Sequence, residues 1–122
     1  MTTSGGRLTT HVLDIALGRP AAGVAIELVR LEDDGGERTV AAAVTDAGGR
    51  TAAPLLAGDA LRAGRYELRF AVGDYLRRAG HVLRDPPFLD VVPVRFGISA
   101  PGEDHHVPLL VSPWSYSTYR GS

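Results

Sequence analysis

Residues 105–122 read HHVPLLVSPWSYSTYRGS, and this stretch decides the fold that the sequence predicts. Two short alternating runs flank a turn at Ser112-Pro113-Trp114, which is typical of a β-hairpin. Because side chains alternate between the faces of a strand, a hairpin closed at this turn shows His106 on the same face as Tyr119. Chain ends usually fray, whereas the tyrosine, arginine and hydroxyl side chains gathered here predict a site.

Short strands recur along the rest of the chain, separated by turns rich in Gly and Pro. The clearest strand alternates Tyr66, Leu68 and Phe70 on one face, which is the period of a half-buried strand. Pro93 and Pro108 fall inside strand patterns and indicate edge strands or bulges, because proline donates no ladder hydrogen bond. Strands are predicted over residues 8–14, 24–31, 38–44, 65–72 and 89–98, with a very short one at 55–56.

One short helix is predicted, from Tyr75 to Ala79, with Asp74 as its N-cap and Gly80 as its end. Many short strands with a single helix indicate an all-β sandwich or small barrel, and we expect a sandwich of two four-stranded sheets. Residues 8–122 then form one domain. A small, polar segment at residues 1–7 precedes it and is expected to be disordered.

Composition excludes several classes of function. The 122 residues carry a net charge of -1, so the chain lacks the basic field that captures nucleic acid or anionic membranes. The sequence contains no cysteine, which excludes disulfides and thiolate metal sites and fits the cytoplasm. All 13 basic residues are arginine, which excludes Schiff-base chemistry at a lysine. The predicted partner is therefore a small molecule or another protein.

Three motifs give the chain a resemblance to a known family: LTTHVLD at residues 8–14, HVPLL at 106–110 and YRGS at 119–122. With these motifs the chain resembles the 5-hydroxyisourate hydrolases, which are transthyretin-related proteins of urate and purine breakdown. The resemblance implies a transthyretin-like β-sandwich and a homotetramer built as a dimer of dimers. It also implies hydrolysis of 5-hydroxyisourate, a cyclic amide, to 2-oxo-4-hydroxy-4-carboxy-5-ureidoimidazoline, with neither cofactor nor metal.

The same resemblance implies the site residues. His11, Arg50 and His106 are expected to be catalytic, and His11, Arg50, Tyr119 and Ser122 to bind substrate. A neutral imidazole can take a proton from water near neutral pH, and an arginine can hold urate-like oxygens and offset developing negative charge. We expect His106 to be the general base and His11 to position water or substrate, although the sequence alone allows the two roles to be exchanged.

One position departs from the family pattern. Asp104 stands two residues before His106, where the family commonly has histidine. A nearby carboxylate would make His106 more basic, whereas loss of the histidine would weaken substrate binding, and the sequence supports both interpretations.

Two other functions compete with hydrolysis. Asp104 and His106 share a strand face and could chelate a metal, but two ligands fall short of the three or four that zinc takes. A non-enzymatic, transthyretin-like carrier of a small ligand would have the same fold. The YRGS motif and the two site histidines favour the enzyme, since transthyretins lack them. His81 and His105 are expected to be structural.

Overall fold

The computed structural model of the protein describes residues 5–121. Its strands are β1 (Arg7–Thr9), β2 (Val12–Asp14), β3 (Arg19–Pro20), β4 (Ala25–Leu31), β5 (Glu37–Val44), β6 (Leu56–Ala57), β7 (Gly64–Ala71), β8 (Val91–Ile98), β9 (His105–His106), β10 (Leu109–Val111) and β11 (Tyr116–Thr118). The helix α1 (Val72–Arg78) follows β7 directly, and a 3-10 turn lies at Gly58–Ala60.

The strands form two four-stranded sheets, in the orders β5-β4-β7-β8 and β11-β10-β2-β3, which confirms the predicted architecture. A third sheet, β6-β1-β9, was not predicted. It continues the second sheet, because the segments 7–14 and 105–111 each pass through both. The hairpin at the end of the chain is also confirmed, since β10 pairs with β11 in antiparallel register.

The predicted strand over residues 8–14 is interrupted at Thr10 and His11, where the chain changes partners. Before the break it pairs with β6 and β9, and after the break with β3 and β10. The opposing segment breaks at Pro108, which has no N–H to donate. The predicted alternation nevertheless holds, because Thr10 is buried while Thr9 and His11 are only partly buried.

The core lies between the sheets and is built from the alternating strands. Leu68 and Phe70 of β7 are fully buried, as the sequence predicts. Each such side chain contributes about 1.5–3 kcal/mol relative to an exposed one. Pro93 lies in β8, an edge strand, which confirms the prediction from its missing N–H.

Several element boundaries differ from the predictions by one to three residues, and two of these differences have a clear physical cause. The helix begins at Val72 rather than after Asp74, and no side chain caps it. Burial of Val72 against the core starts the helix where β7 ends, and the Gly73 N–H donates to the Asp90 carbonyl. Strand β1 begins at Arg7, inside the segment predicted to be disordered, because the Gly6 N–H donates to the Pro101 carbonyl. Residues 1–4 lie outside the described part of the chain.

Within residues 5–121 no helix is long and apolar enough to cross a bilayer.

A buried polar cluster joins the helix to β2. The Asp14 carboxylate is fully buried and accepts hydrogen bonds from the Tyr75 hydroxyl at 2.8 Å and from His81 Nε2 at 2.9 Å. Its other oxygen accepts the N–H groups of Ala16 and Leu17. His81 therefore has the structural role that the sequence predicts.

This cluster shifts two acid–base equilibria. Burial alone would raise the pKa of Asp14, but hydrogen bonds from His81, the Leu17 N–H and Tyr75 outweigh it and hold the pKa below its usual value. Burial and the hydrogen bond to Asp14 raise the pKa of Tyr75 to about 12.

Stability is therefore expected to fall at both extremes of pH. The depressed pKa of Asp14 gives stability that is present above its unfolded value of about 3.9 and is lost as pH falls through the folded value. The raised pKa of Tyr75 gives stability that is present below about pH 10 and is lost as pH rises toward about 12. Urea denaturation followed by circular dichroism at a series of pH values measures both losses of stability, the acid limb and the alkaline limb of the pH profile.

Tyr75→Phe provides the comparison for the alkaline limb, because phenylalanine has no phenol to ionise. The variant should lose less stability than the natural protein above about pH 10. Equal alkaline losses in the two proteins would contradict the prediction.

Candidate functional site

The turn after β5 places Arg50 opposite His11. The Asp46 carboxylate accepts the N–H groups of Gly48 at 2.9 Å and Arg50 at 3.2 Å, which closes the turn. Gly49 has φ +76°, and a Cβ there would lie 2.4 Å from the Val12 carbonyl oxygen, so only glycine fits. Arg50 then forms an antiparallel bridge with His11, and its side chain is exposed.

The same turn holds the imidazole of His11. Its Nε2 lies 2.8 Å from the Gly48 carbonyl oxygen. A carbonyl only accepts, so Nε2 carries the proton and donates it. In the neutral ring Nδ1 then has the free lone pair, and the ring orientation is set by the turn that carries Arg50.

His106 is held from two sides. Thr9 lies directly opposite it in the parallel pair β1–β9, and the Thr9 Oγ1 to His106 Nδ1 distance is 2.8 Å. On the other side the Gly121 N–H donates to the His106 carbonyl at 2.7 Å. A Cβ on Gly121 would lie 2.6 Å from His106 Cδ2, so the glycine backbone packs against the ring edge. Within residues 5–121, Nε2 is the ring nitrogen without a partner.

Four neighbouring segments therefore bring the predicted residues together. Arg50 bridges to His11, the segment of His11 runs beside that of His106, and His106 bridges to Gly121. Thr9 and His11 are two residues apart and share one face of their segment. Because Thr9 also contacts the His106 ring, both histidines lie on this face.

Charge and burial act on His106. Burial, the charge of Arg50 and the charge of His11 all lower its pKa below the usual value of 6.5. The lowered pKa favours the neutral imidazole, which has a lone pair that can accept a proton. An uncharged base beside a permanent cation suits attack by water on a carbonyl that gains negative charge.

Asp104 does not make His106 more basic. Its carboxylate accepts the Arg7 N–H at 3.0 Å, and its carbonyl accepts the Arg120 guanidinium at 3.1 Å. Burial, Arg50 and His11 lower the pKa of His106, which does not favour the first of the two interpretations of this position. Asp104 instead ties the start of β1 to the segment before β9.

Tyr119 lies on the segment beside His106, two residues before Gly121. Its side chain is 59% exposed. It also lines a cavity of about 200 Å³ with His105 and Arg120, and the lining of this cavity does not include Arg50. Within the described residues, no hydrogen bond joins Tyr119 to another predicted site residue. Ser122 lies outside the described part of the chain.

The histidine pair at 105–106 divides between two roles. His105 is 5% exposed, and its Nδ1 lies 2.9 Å from the Glu103 carbonyl oxygen, which gives it a structural role.

Across residues 5–121, no three His, Asp or Glu side chains lie close enough together to hold a metal ion.

Two site residues were missed by the sequence reasoning. Thr9 contacts the His106 ring, and Gly121 allows the close approach of the neighbouring backbone. The alternation that places Thr9 and His11 on one face was a usable signal for the first. The role of Gly121 depends on the pairing between distant segments, which leaves no local pattern.

The chain is similar to known proteins over nearly its whole length. The chain matches the model of the HIUase/Transthyretin family over residues 8–121. It is 58% identical over 117 residues to a 5-hydroxyisourate hydrolase of Ralstonia nicotianae, covering 96% of this chain and 99% of that one. Among solved structures, (S)-allantoin synthase has 45% identity and a TM-score of 0.91, with all of this chain spanning 46% of that one. Sea bream transthyretin in complex with thyroxine has 32% identity and a TM-score of 0.84, with 94% of each chain covered. The resemblance seen in the motifs is thus confirmed, and the chain belongs to the HIUase/transthyretin family.

Proposed function

We propose that the protein is a 5-hydroxyisourate hydrolase of urate breakdown, which opens the ring of this cyclic amide to give 2-oxo-4-hydroxy-4-carboxy-5-ureidoimidazoline. The observation that carries the proposal is the placement of His11, Arg50 and His106 on adjoining segments, with the Arg50 cation acting on the partly buried imidazole of His106. The 58% identity to a hydrolase, over nearly the whole of both chains, supports the same reaction.

The residues support a direct mechanism. His106 Nε2 takes a proton from water while the water oxygen bonds to the ring carbonyl carbon, and the carbonyl π electrons move to oxygen. The Arg50 guanidinium holds the substrate oxygens and stabilises the oxyanion that forms. When the carbonyl re-forms, the carbon–nitrogen bond breaks, and the proton held by His106 passes to the departing nitrogen. No cofactor or metal enters the reaction.

The remaining predicted residues have binding roles in this proposal. His11 positions water or substrate, because its ring is held by Gly48 and retains a free Nδ1 lone pair. Tyr119 forms the floor of the pocket and Ser122 binds substrate, as the family resemblance implies. The positions of His11 and Arg50 on adjacent segments support their joint action on one small ligand.

The test is the decay of freshly generated 5-hydroxyisourate, made from urate by a urate oxidase, with and without the purified protein. The protein should accelerate the decay, and Tyr119→Thr should lose most of the acceleration. No acceleration by the natural protein would overturn the proposal. A thyroxine-type aromatic ligand, titrated in parallel, tests for the carrier function of the related transthyretin structure.

Gly121→Ala is expected to lower kcat by on the order of 10²-fold, since a displacement near 1 Å can have that effect. The new Cβ would lie 2.6 Å from His106 Cδ2, so the imidazole must leave the position in which it bonds to Thr9. Steady-state kinetics and the solved structure of the variant check this.

Gly102→Ala is the matched control for that variant. A Cβ at Gly102 meets nothing within 4 Å, so its kcat should equal that of the natural protein. Unchanged kcat in Gly121→Ala would contradict the proposed placement of His106.

We also propose a homotetramer, built as a dimer of dimers. Both β8 and β11 are edge strands. Val91 on β8 is 55% exposed, and Tyr116 on β11 is 42% exposed. Exposed edges are normally paired or covered, and Trp114 near β11 is 61% exposed. Light scattering after gel filtration should give four times the chain mass, and a monomer at micromolar concentration would contradict the assembly.

The cytoplasm is the proposed compartment, inferred from the cysteine-free sequence.

A further inference from the structure

The sequence places two threonines side by side before His11, and the structure gives them different surroundings. Thr10 is 2% exposed, and its hydroxyl donates to the Val107 carbonyl at 2.7 Å. This bond joins two backbones, so Thr10 supports the strand pairing. Thr9 is only partly buried, and its hydroxyl bonds to a side chain, Nδ1 of His106, at 2.8 Å. Within residues 5–121 the Thr9 hydroxyl has no other hydrogen-bond partner.

The register makes the Thr9 contact a fixed one. Thr9 and His106 are direct partners in the parallel pair β1–β9, and the Val107 N–H donates to the Thr9 carbonyl at 2.9 Å. Gly121 holds the opposite edge of the ring through its close backbone contact. The imidazole is thus confined between a hydroxyl and a backbone segment, and Nε2 is left for a ligand.

A hydroxyl both donates and accepts, so the direction of the hydrogen bond between Thr9 and His106 corresponds to which ring nitrogen carries the proton. If Nδ1 carries the proton and donates to Thr9, Nε2 has the lone pair that a base needs. If the Thr9 hydroxyl donates to Nδ1, Nε2 carries the proton and can only donate. In the first direction the same hydrogen bond is kept when the ring is protonated, because Nδ1–H still donates to Thr9 after Nε2 gains a proton.

We propose that Thr9 is a positioning residue for His106: its hydroxyl accepts the Nδ1–H hydrogen bond and leaves the Nε2 lone pair to take the proton of the attacking water. This inference rests on the proposed hydrolase activity. The charged and titratable groups that act on the imidazole are Arg50 and His11, while the Asp104 carboxylate bonds to the Arg7 N–H. Thr9 therefore supplies the orientation and the protonation pattern, and not charge.

Kinetics of Thr9→Val test the role. Valine has nearly the same shape, and loss of the hydroxyl should lower kcat roughly 10- to 100-fold, as for partners that orient metal-ligating histidines. The acid limb of the kcat/KM profile should move to lower pH, because the protonated ring loses an acceptor. Thr9→Ser should restore both kcat and the acid limb. Thr39→Val, on an exposed part of β5, is the neutral control.

The protonation pattern itself is tested without substrate. Nitrogen-15 spectra of the histidine rings should show His106 with its proton on Nδ1 in the natural protein, and mixed tautomers in Thr9→Val. A proton on Nε2 in the natural protein, or an unchanged pH profile in an active Thr9→Val, would overturn the inference. Thr10→Val separates stability from positioning, since it should lower the unfolding temperature and leave the acid limb in place. Failure of the hydrolase proposal is distinct, because there the natural protein would not accelerate the decay at all.

Discussion

Replacing His106 with alanine is expected to lower kcat by roughly 10²–10⁴-fold, which is the usual contribution of a general base. The fold should survive, because the His106 side chain is only partly buried and its ring bonds to one hydroxyl. The decay of 5-hydroxyisourate under saturating protein measures the loss directly. In the natural protein the acid limb of kcat/KM should lie below pH 6.5, because burial, Arg50 and His11 lower the pKa of this imidazole.

His105→Asn is the matched control, one residue away. An asparagine amide can replace the Nδ1 donor to the Glu103 carbonyl, so folding should be largely kept. Its kcat should stay close to that of the natural protein. Equal losses in the two variants would show that the strand, and not the His106 ring, matters for turnover. An unchanged kcat in His106→Ala would indicate that His11, and not His106, is the general base.

Replacing Asp14 with alanine is expected to lower the free energy of unfolding by about 3–5 kcal/mol, the usual effect of removing one partner from a buried pair. Asp14 is fully buried and accepts four hydrogen bonds, from Tyr75, His81 and two backbone N–H groups. Alanine leaves all four donors without an acceptor. Urea denaturation at pH 7 measures the change.

Asp14→Asn should fall between the natural protein and Asp14→Ala, because the amide oxygen still accepts. Asp33→Ala is the control, since Asp33 is exposed in the β4–β5 turn and should change stability by less than about 0.5 kcal/mol. A loss in Asp14→Ala as small as that in Asp33→Ala would contradict the role of the buried cluster. The activity per folded molecule tests whether this cluster also supports nearby His11.

Local patterns were sufficient for much of the fold. Alternation predicted which residues of β7 enter the core, and the missing N–H of Pro93 predicted an edge strand. The helix start was wrong by three residues because Asp74 has the chemistry of an N-cap, whereas burial of Val72 and the bond from Gly73 to Asp90 begin the helix earlier. Local capping preference is worth about 1 kcal/mol, and core burial is worth more.

The sequence by itself determined the sandwich architecture, because strand periodicity is a local property of the chain. It also determined the family, through the resemblance of its motifs, and that resemblance marked His11, Arg50 and His106 as candidate site residues. Only the tertiary structure decided where those residues lie relative to one another. The pairing of residues 7–14 with 105–111 brings Thr9 to the His106 ring, and the turn at Asp46 brings Arg50 to His11. The lowered pKa of His106 follows from burial and from groups carried on other segments, Arg50 first among them. These are contacts between residues far apart in the chain, and a local sequence pattern does not show which distant segments will pair in the folded protein.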